Sequence, residues 1–130
     1  MIELAMVFAK DGSALFWLGP NGCTSGSVPD SHVLWDRIWR NREVIGGVAH
    51  THPGDGPTGA SHTDLTTFAA IESGLGKRLI WPIVSSTHVS FFQYWELSKS
   101  YVDSKNVDFR DMNHWFEVVK TLRHLSQIGG

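Results

Sequence analysis

Residues 50–64 read His50-Thr51-His52-Pro53, then the glycine-rich run 54–60 (GDGPTGA), then Ser61-His62-Thr63-Asp64. The stretch 44–50 (VIGGVAH) is short and apolar, and it predicts a central strand ending in the first histidine. Side chains two apart on a strand share a face, so His50 and His52 project together from its carboxyl end. Pro53 ends the strand, and the following glycines let the chain turn back. A helix is predicted from His62 to Ser73, which puts Asp64 in its first turn, beside that strand end. Two imidazoles and a carboxylate then meet at a strand–turn–helix junction.

Outward from this unit the chain alternates between strand and helix patterns. Ile2 to Ala9 and Ala14 to Leu18 read as two strands joined by the Asp11-Gly12 turn. Residues 19–30 are loop by composition. A helix follows Pro29, with Asp30 or Ser31 as cap, an apolar face of Leu34, Trp35, Ile38 and Trp39, and an end by Asn41-Arg42. Gly46-Gly47 in the central strand points to a close backbone or helix. The helix after Ser61 presents Leu65, Phe68 and Ala69, with either Ile71 or Glu72, and Gly74 is a plausible stop. Residues 79–84 and 89–94 read as strands, and Pro82 favours an edge or bulged position for the first. From Asp108 onward, Phe109, Met112, Trp115, Phe116, Val119, Leu122 and Leu125 mark an amphipathic helix before Gly129-Gly130. The order β-β-α-β-α-β-β-α predicts an α/β fold, a three-layer sandwich with a central mixed β-sheet flanked by helices.

Composition bounds the possibilities. The 130 residues fit a single domain, 1–130, and 42% hydrophobic residues with six Trp and seven Phe can fill its core. A net charge of −2, from 11 basic and 13 acidic residues, offers no basic face for tracking phosphates, so no nucleic-acid partner is expected. No apolar run approaches the ~18 residues of a membrane span, and the N-terminus lacks the basic flank of a signal peptide. A soluble, cytoplasmic protein is the expectation. Cys23 is the one cysteine, which excludes an internal disulfide and any multi-cysteine zinc site. A transition metal would therefore be held by His with Asp or Glu.

His50, His52 and Asp64 make such a set. Two His and one carboxylate leave a tetrahedral ion one open position, the pattern of a catalytic rather than a structural zinc site. Ser61 and Asp64 also fit S-x-x-D, an ordinary capping box, and the two readings are compatible. A water at that position needs a base. Glu3, at the start of the first strand, is either a carboxylate on the rim of the site or a solvated terminal residue. Glu43, at a helix-to-strand junction, reads as a surface residue. His62 faces away from Asp64 by helical phase, and His32, His88, His114 and His124 read as surface or turn residues.

These residues resemble the signature of the JAMM (JAB1/MPN/Mov34) zinc metalloproteases, HxHP then SxxD, preceded by a distant Glu. The likeness is greatest to compact prokaryotic JAB domains, RadC-type ones included, whose first strand opens with Glu and reaches a turn Asp eight residues later, as Glu3 and Asp11 do here. The order of elements fits the JAB/MPN, cytidine-deaminase-like fold over most of the chain. The run between Pro53 and Ser61 is one residue longer than the family pattern.

The resemblance implies that His50, His52 and Asp64 ligate Zn2+, that Glu3 is the general acid/base, and that Ser61 donates to the oxyanion of the tetrahedral intermediate. It further implies a substrate: the amide or isopeptide bond after the C-terminal glycine of a ubiquitin-like protein, whose tail binds as an extended strand. Activating and conjugating enzymes of the same pathway would be further partners. Two alternatives keep the fold: a JAMM-type peptidase with another peptide substrate, and a non-catalytic MPN or RadC-like scaffold.

Overall fold

The computed structural model describes residues 4–18, 32–52 and 59–108. Its elements are β1 (Ala5–Ala9), β2 (Ala14–Leu18), α1 (His32–Arg40), β3 (Ile45–Thr51), α2 (His62–Leu75), β4 (Trp81–Val84), β5 (His88–Trp95) and β6 (Ser100–Asp108). They build an α/β fold around a six-stranded mixed sheet in the order β2-β1-β3-β4-β5-β6. Neighbours are antiparallel except β3 and β4, which run parallel. A parallel pair needs a crossover, and α2 supplies it.

Alternation along the strands divides the core between the two faces of the sheet. Val7, Val48, Trp81, Ile83 and Phe92 point to the face that packs on Leu34 and Ile38 of α1 and Phe68 of α2. Met6, Phe8, Ala49, Val84 and Val89 form a second buried cluster on the other face. Both faces are buried, as expected of a central sheet in an α/β domain. Among the described residues no helix is long and apolar enough to cross a membrane.

β3 is central, between β1 and β4, and its glycines explain how. A Cβ on Gly47 would lie 1.8 Å from the Ile80 carbonyl oxygen, and one on Gly46 would lie 2.8 Å from that of Ala9. The neighbouring backbones occupy the space that a side chain would need.

Four expectations change. Pro82 sits in an interior strand, paired with Phe91 on β5, not at an edge. The β3–β4 ladder accommodates it by a gap: pairing is made at Gly47↔Ile80 and resumes at His50↔Ile83, skipping the positions where Pro82 would have to donate. The cap of α2 is Gly76, left-handed at φ 70°, while Gly74 lies inside the helix, where a Cβ would come within 2.7 Å of the Trp35 ring. Trp39 is 45% exposed, so the buried face of α1 narrows to Leu34 and Ile38 with Trp35 partly covered. Finally, β6 is an additional strand whose sequence (SYVDSKNVD) has no apolar alternation. The helix expected after Asp108 lies outside the described residues, as do the Asp30 and Ser31 caps.

Candidate metal centre

Strand pairing fixes the histidines first. His50 is flanked by Ala5 of β1 and Ile83 of β4, and the His52 N–H donates to the Val84 carbonyl at 2.9 Å. Both side chains fall on the face of Val48, toward α2, with ring centroids 5.1 Å apart. Thr51 points the other way and ties in the start of β1. Its Oγ1 accepts from the Leu4 N–H at 2.8 Å, and its own N–H donates to the Leu4 carbonyl at 3.0 Å.

The helix start fixes the carboxylate. Ser61 has extended backbone (φ −74°, ψ 166°) and caps α2. The Asp64 N–H donates to Ser61 Oγ at 3.0 Å and the Ser61 N–H donates to Asp64 Oδ2 at 3.0 Å, a complete capping box. The free carboxylate face of Asp64 is thereby turned to the strand. Asp64 Oδ1 lies 3.5 Å from His50 Nε2, and Oδ2 lies 3.3 Å from His52 Nε2. His62 is exposed on the opposite side of the helix, as its phase predicts.

Asp64 is fully buried, His50 is 1% exposed and His52 is 15% exposed. A buried carboxylate is costly unless paired. Burial by itself pushes the Asp64 carboxyl up, but hydrogen bonds from His50 and His52, the charge of His50 and the Ser61 N–H outweigh it. The result is a carboxyl held well below the usual carboxylate range.

This donor set fits a metal ion. One ligand atom from each of His50, His52 and Asp64 lies within 4.8 Å of the others. Bonds of ~2.0–2.2 Å to a tetrahedral ion would set ligand atoms roughly 3.3 Å apart. The two nitrogen–oxygen separations, 3.5 and 3.3 Å, are already near that figure. His52 gives the group its solvent-facing side.

The structure therefore brings together His50, His52, Ser61 and Asp64. Glu3 lies outside the described residues, although Leu4, which follows it, is bonded twice to Thr51 within the site's own strand. Glu43 is exposed and precedes β3, at the end of the strand away from the histidines. His32 is exposed at the start of α1, and His88 begins β5 with its Nδ1 2.8 Å from Thr87 Oγ1. Cys23, His114, His124 and Gly129-Gly130 lie outside the described residues.

Of the two residues the sequence left open for the inner face of α2, Ile71 and Glu72, the carboxylate is the buried one, while Ala69, expected on that face, is exposed. Glu72 is buried two turns beyond Asp64 and collects donors from Arg78, Leu79, Trp81 and Tyr101. A signal for it exists in the sequence: Asp64, Phe68 and Glu72 recur every four residues, with a carboxylate at each end of the stripe. Neither a family model nor a curated protein matches this chain.

Proposed function

We propose that this protein is a zinc-dependent isopeptidase or peptidase of the JAMM type, acting in the cytoplasm. Its bond is the amide after the C-terminal glycine of a ubiquitin-like protein, in a conjugate or a precursor. The observation that supports this best is the meeting of His50, His52 and Asp64 at the carboxyl end of β3, with Ser61 locked to Asp64 beside them. The α/β sheet with α2 crossing between β3 and β4 agrees with a JAB/MPN three-layer sandwich. The signature residues His50-x-His52-Pro53 and Ser61-x-x-Asp64 carry the remainder.

In this reading His50, His52 and Asp64 hold the ion. Bound zinc would supply Lewis-acid polarisation of the scissile carbonyl and a water acidic enough to attack near neutral pH. Glu3 takes the proton released by that water and returns it to the departing amine. The Ser61 hydroxyl spends one acceptor lone pair on the Asp64 N–H, and its own O–H remains a donor for the carbonyl oxygen as it gains charge. Water adds across the amide, and its two protons end on the departing nitrogen, giving a carboxylate and a protonated amine.

The test is incubation of the protein with ubiquitin-like fusions and conjugates, with and without a chelator, read by mass spectrometry. Chelator-sensitive cleavage after the terminal glycine is expected. Purified protein with under half an equivalent of zinc, unchanged by His52→Ala, would overturn the reading. Cleavage of other peptides alone would keep the chemistry and change the substrate class.

A further inference from the structure

The buried face of α2 carries two carboxylates, and the proposed metal centre uses one. Asp64, Phe68 and Glu72 are the buried residues of that helix. Glu72 Oε2 accepts from the Leu79 N–H and from Trp81 Nε1, each at 2.9 Å. Oε1 accepts from Arg78 Nη1 at 2.9 Å and from the Tyr101 hydroxyl. Burial, with the bond to Glu72 and its charge, pushes the Tyr101 hydroxyl above its usual range, so it stays a donor. The four donors come from β4, the segment leading into it, and β6.

Stability alone is a poor reason for this arrangement. A buried charge with its partners is often no better for stability than apolar residues of the same volume. Directional bonds do something that apolar packing does not: they fix the rotation and the axial level of the helix. Between the two carboxylates, Phe68 stacks on Trp81 with centroids 4.3 Å apart and planes 14° from parallel. Phe68 also meets His50 at 6.5 Å and Tyr101 at 5.6 Å, both edge-on. A continuous packed path thus links Glu72 to a metal-binding histidine.

We propose that Glu72 is a positioning residue of the metal centre: its clamp on Trp81, Leu79, Arg78 and Tyr101 sets α2 so that Asp64 and Ser61 arrive at the end of β3. The proposal rests on the reading of His50, His52 and Asp64 as metal ligands. Asp64 cannot set the helix by itself, because the oxygens that contact His50 and His52 are those an ion would take. The tolerance is small. A rotation of ~20° would carry a group at the helix's outer radius through roughly 2 Å, comparable to a whole metal–ligand bond. Glu72 lies about 12 Å along the axis from Asp64, so it acts through the helix and the side chains packed on it rather than by contact with the site.

Glu72→Gln tests this in the full-length protein. Its amide places an NH2 against donors that a carboxylate accepted. Two readouts are made on samples shown to be folded by circular dichroism. In metal-free protein, amide hydrogen exchange at residues 61–65 is expected to rise about tenfold or more, with β1 and β3 unchanged. With Co2+ as probe, the dissociation constant is expected to rise ~10–100-fold and the visible d–d band to shift. Ile38→Val, a core change on α1, should lower the thermal midpoint while leaving the Co2+ affinity and band as in wild type. Faster exchange confined to residues 72–81, with wild-type Co2+ affinity and band, would overturn the proposal. If Glu72→Gln does not fold, Tyr101→Phe removes one donor from outside the helix. Loss of Co2+ affinity in it supports the clamp, and wild-type affinity overturns it. A wild-type protein with no Co2+ band would remove the metal reading, and the exchange comparison would still decide the clamp.

Discussion

Ser61 and Asp64 hold each other at both ends, N–H to side-chain oxygen in each direction at 3.0 Å. This pair of bonds starts a helix, orients a carboxylate and leaves the Ser61 hydroxyl able to donate elsewhere. Ser61→Ala should separate these effects. The lost cap is expected to cost about 1 kcal/mol of stability, measured by urea unfolding. Zinc content should stay near that of wild type, because the ligands remain. If Ser61 also serves the oxyanion, cleavage falls ~10²–10³-fold, far more than a loosened cap would cause.

The identity of the base follows from a comparison of two glutamates. Glu3→Gln is expected to abolish cleavage with zinc content unchanged. Glu43→Gln should leave both as in wild type, since Glu43 is exposed and precedes β3. Paired assays of zinc content and single-turnover cleavage decide it, and the reverse pattern would move the base to Glu43.

Acid should weaken the metal-free protein through Asp64. Its carboxyl is held below the ~3.9 of an unfolded chain, so as pH falls the unfolded state takes up the proton first. This contribution is present in full above about pH 4 and is lost as pH drops toward the folded-state value. Urea midpoints measured on chelator-treated protein should therefore decline below about pH 4. Asp64→Asn should flatten that part of the curve.

The closeness of the strands at Gly47 gives a stability test independent of any ligand. Gly47→Ala must displace the Ile80 backbone, which would lie 1.8 Å from the new Cβ. A loss of at least about 3 kcal/mol, or failure to accumulate folded protein, is expected. Gly59→Ala, where a Cβ meets nothing within 4 Å, should change stability by no more than about 0.5 kcal/mol. Denaturant curves of the two variants make the comparison.

How much of this could be read from the chain follows the range of the interactions. His50 and His52 on one face, the cap at Ser61 and the crowding at Gly47 depend on periods of two residues or on a local box, and they are legible. The end of α2 is less so. Gly74 and Gly76 are equivalent as local signals, and the packing of Trp35 on Gly74 is what reserves the cap for Gly76. β6 escapes because its pairing with β5 comes from backbone bonds along Ser100–Asp108, and a polar sequence pairs as readily as an apolar one there. Pro82 misleads for a related reason: the missing donor is absorbed by a gap in one ladder, which no local rule anticipates. The clamp on Glu72 gathers residues from 72 to 101; the four-residue stripe marks Glu72 itself as inward-facing, but nothing local names the donors that meet it.

The bonds at the two ends of the run 53–60 have a consequence for how such a domain can diversify. On one side the His52 N–H is held by Val84, and on the other Ser61 is locked to Asp64, so neither His52 nor Asp64 depends on the length of what joins them. One extra residue in a connection of this length costs only about 0.1 kcal/mol of closure entropy. A one-residue difference in the length of that run is therefore nearly free in energy. Under the proposed function, insertions there would leave His50, His52 and Asp64 in place, so selectivity could drift without any change in the chemistry.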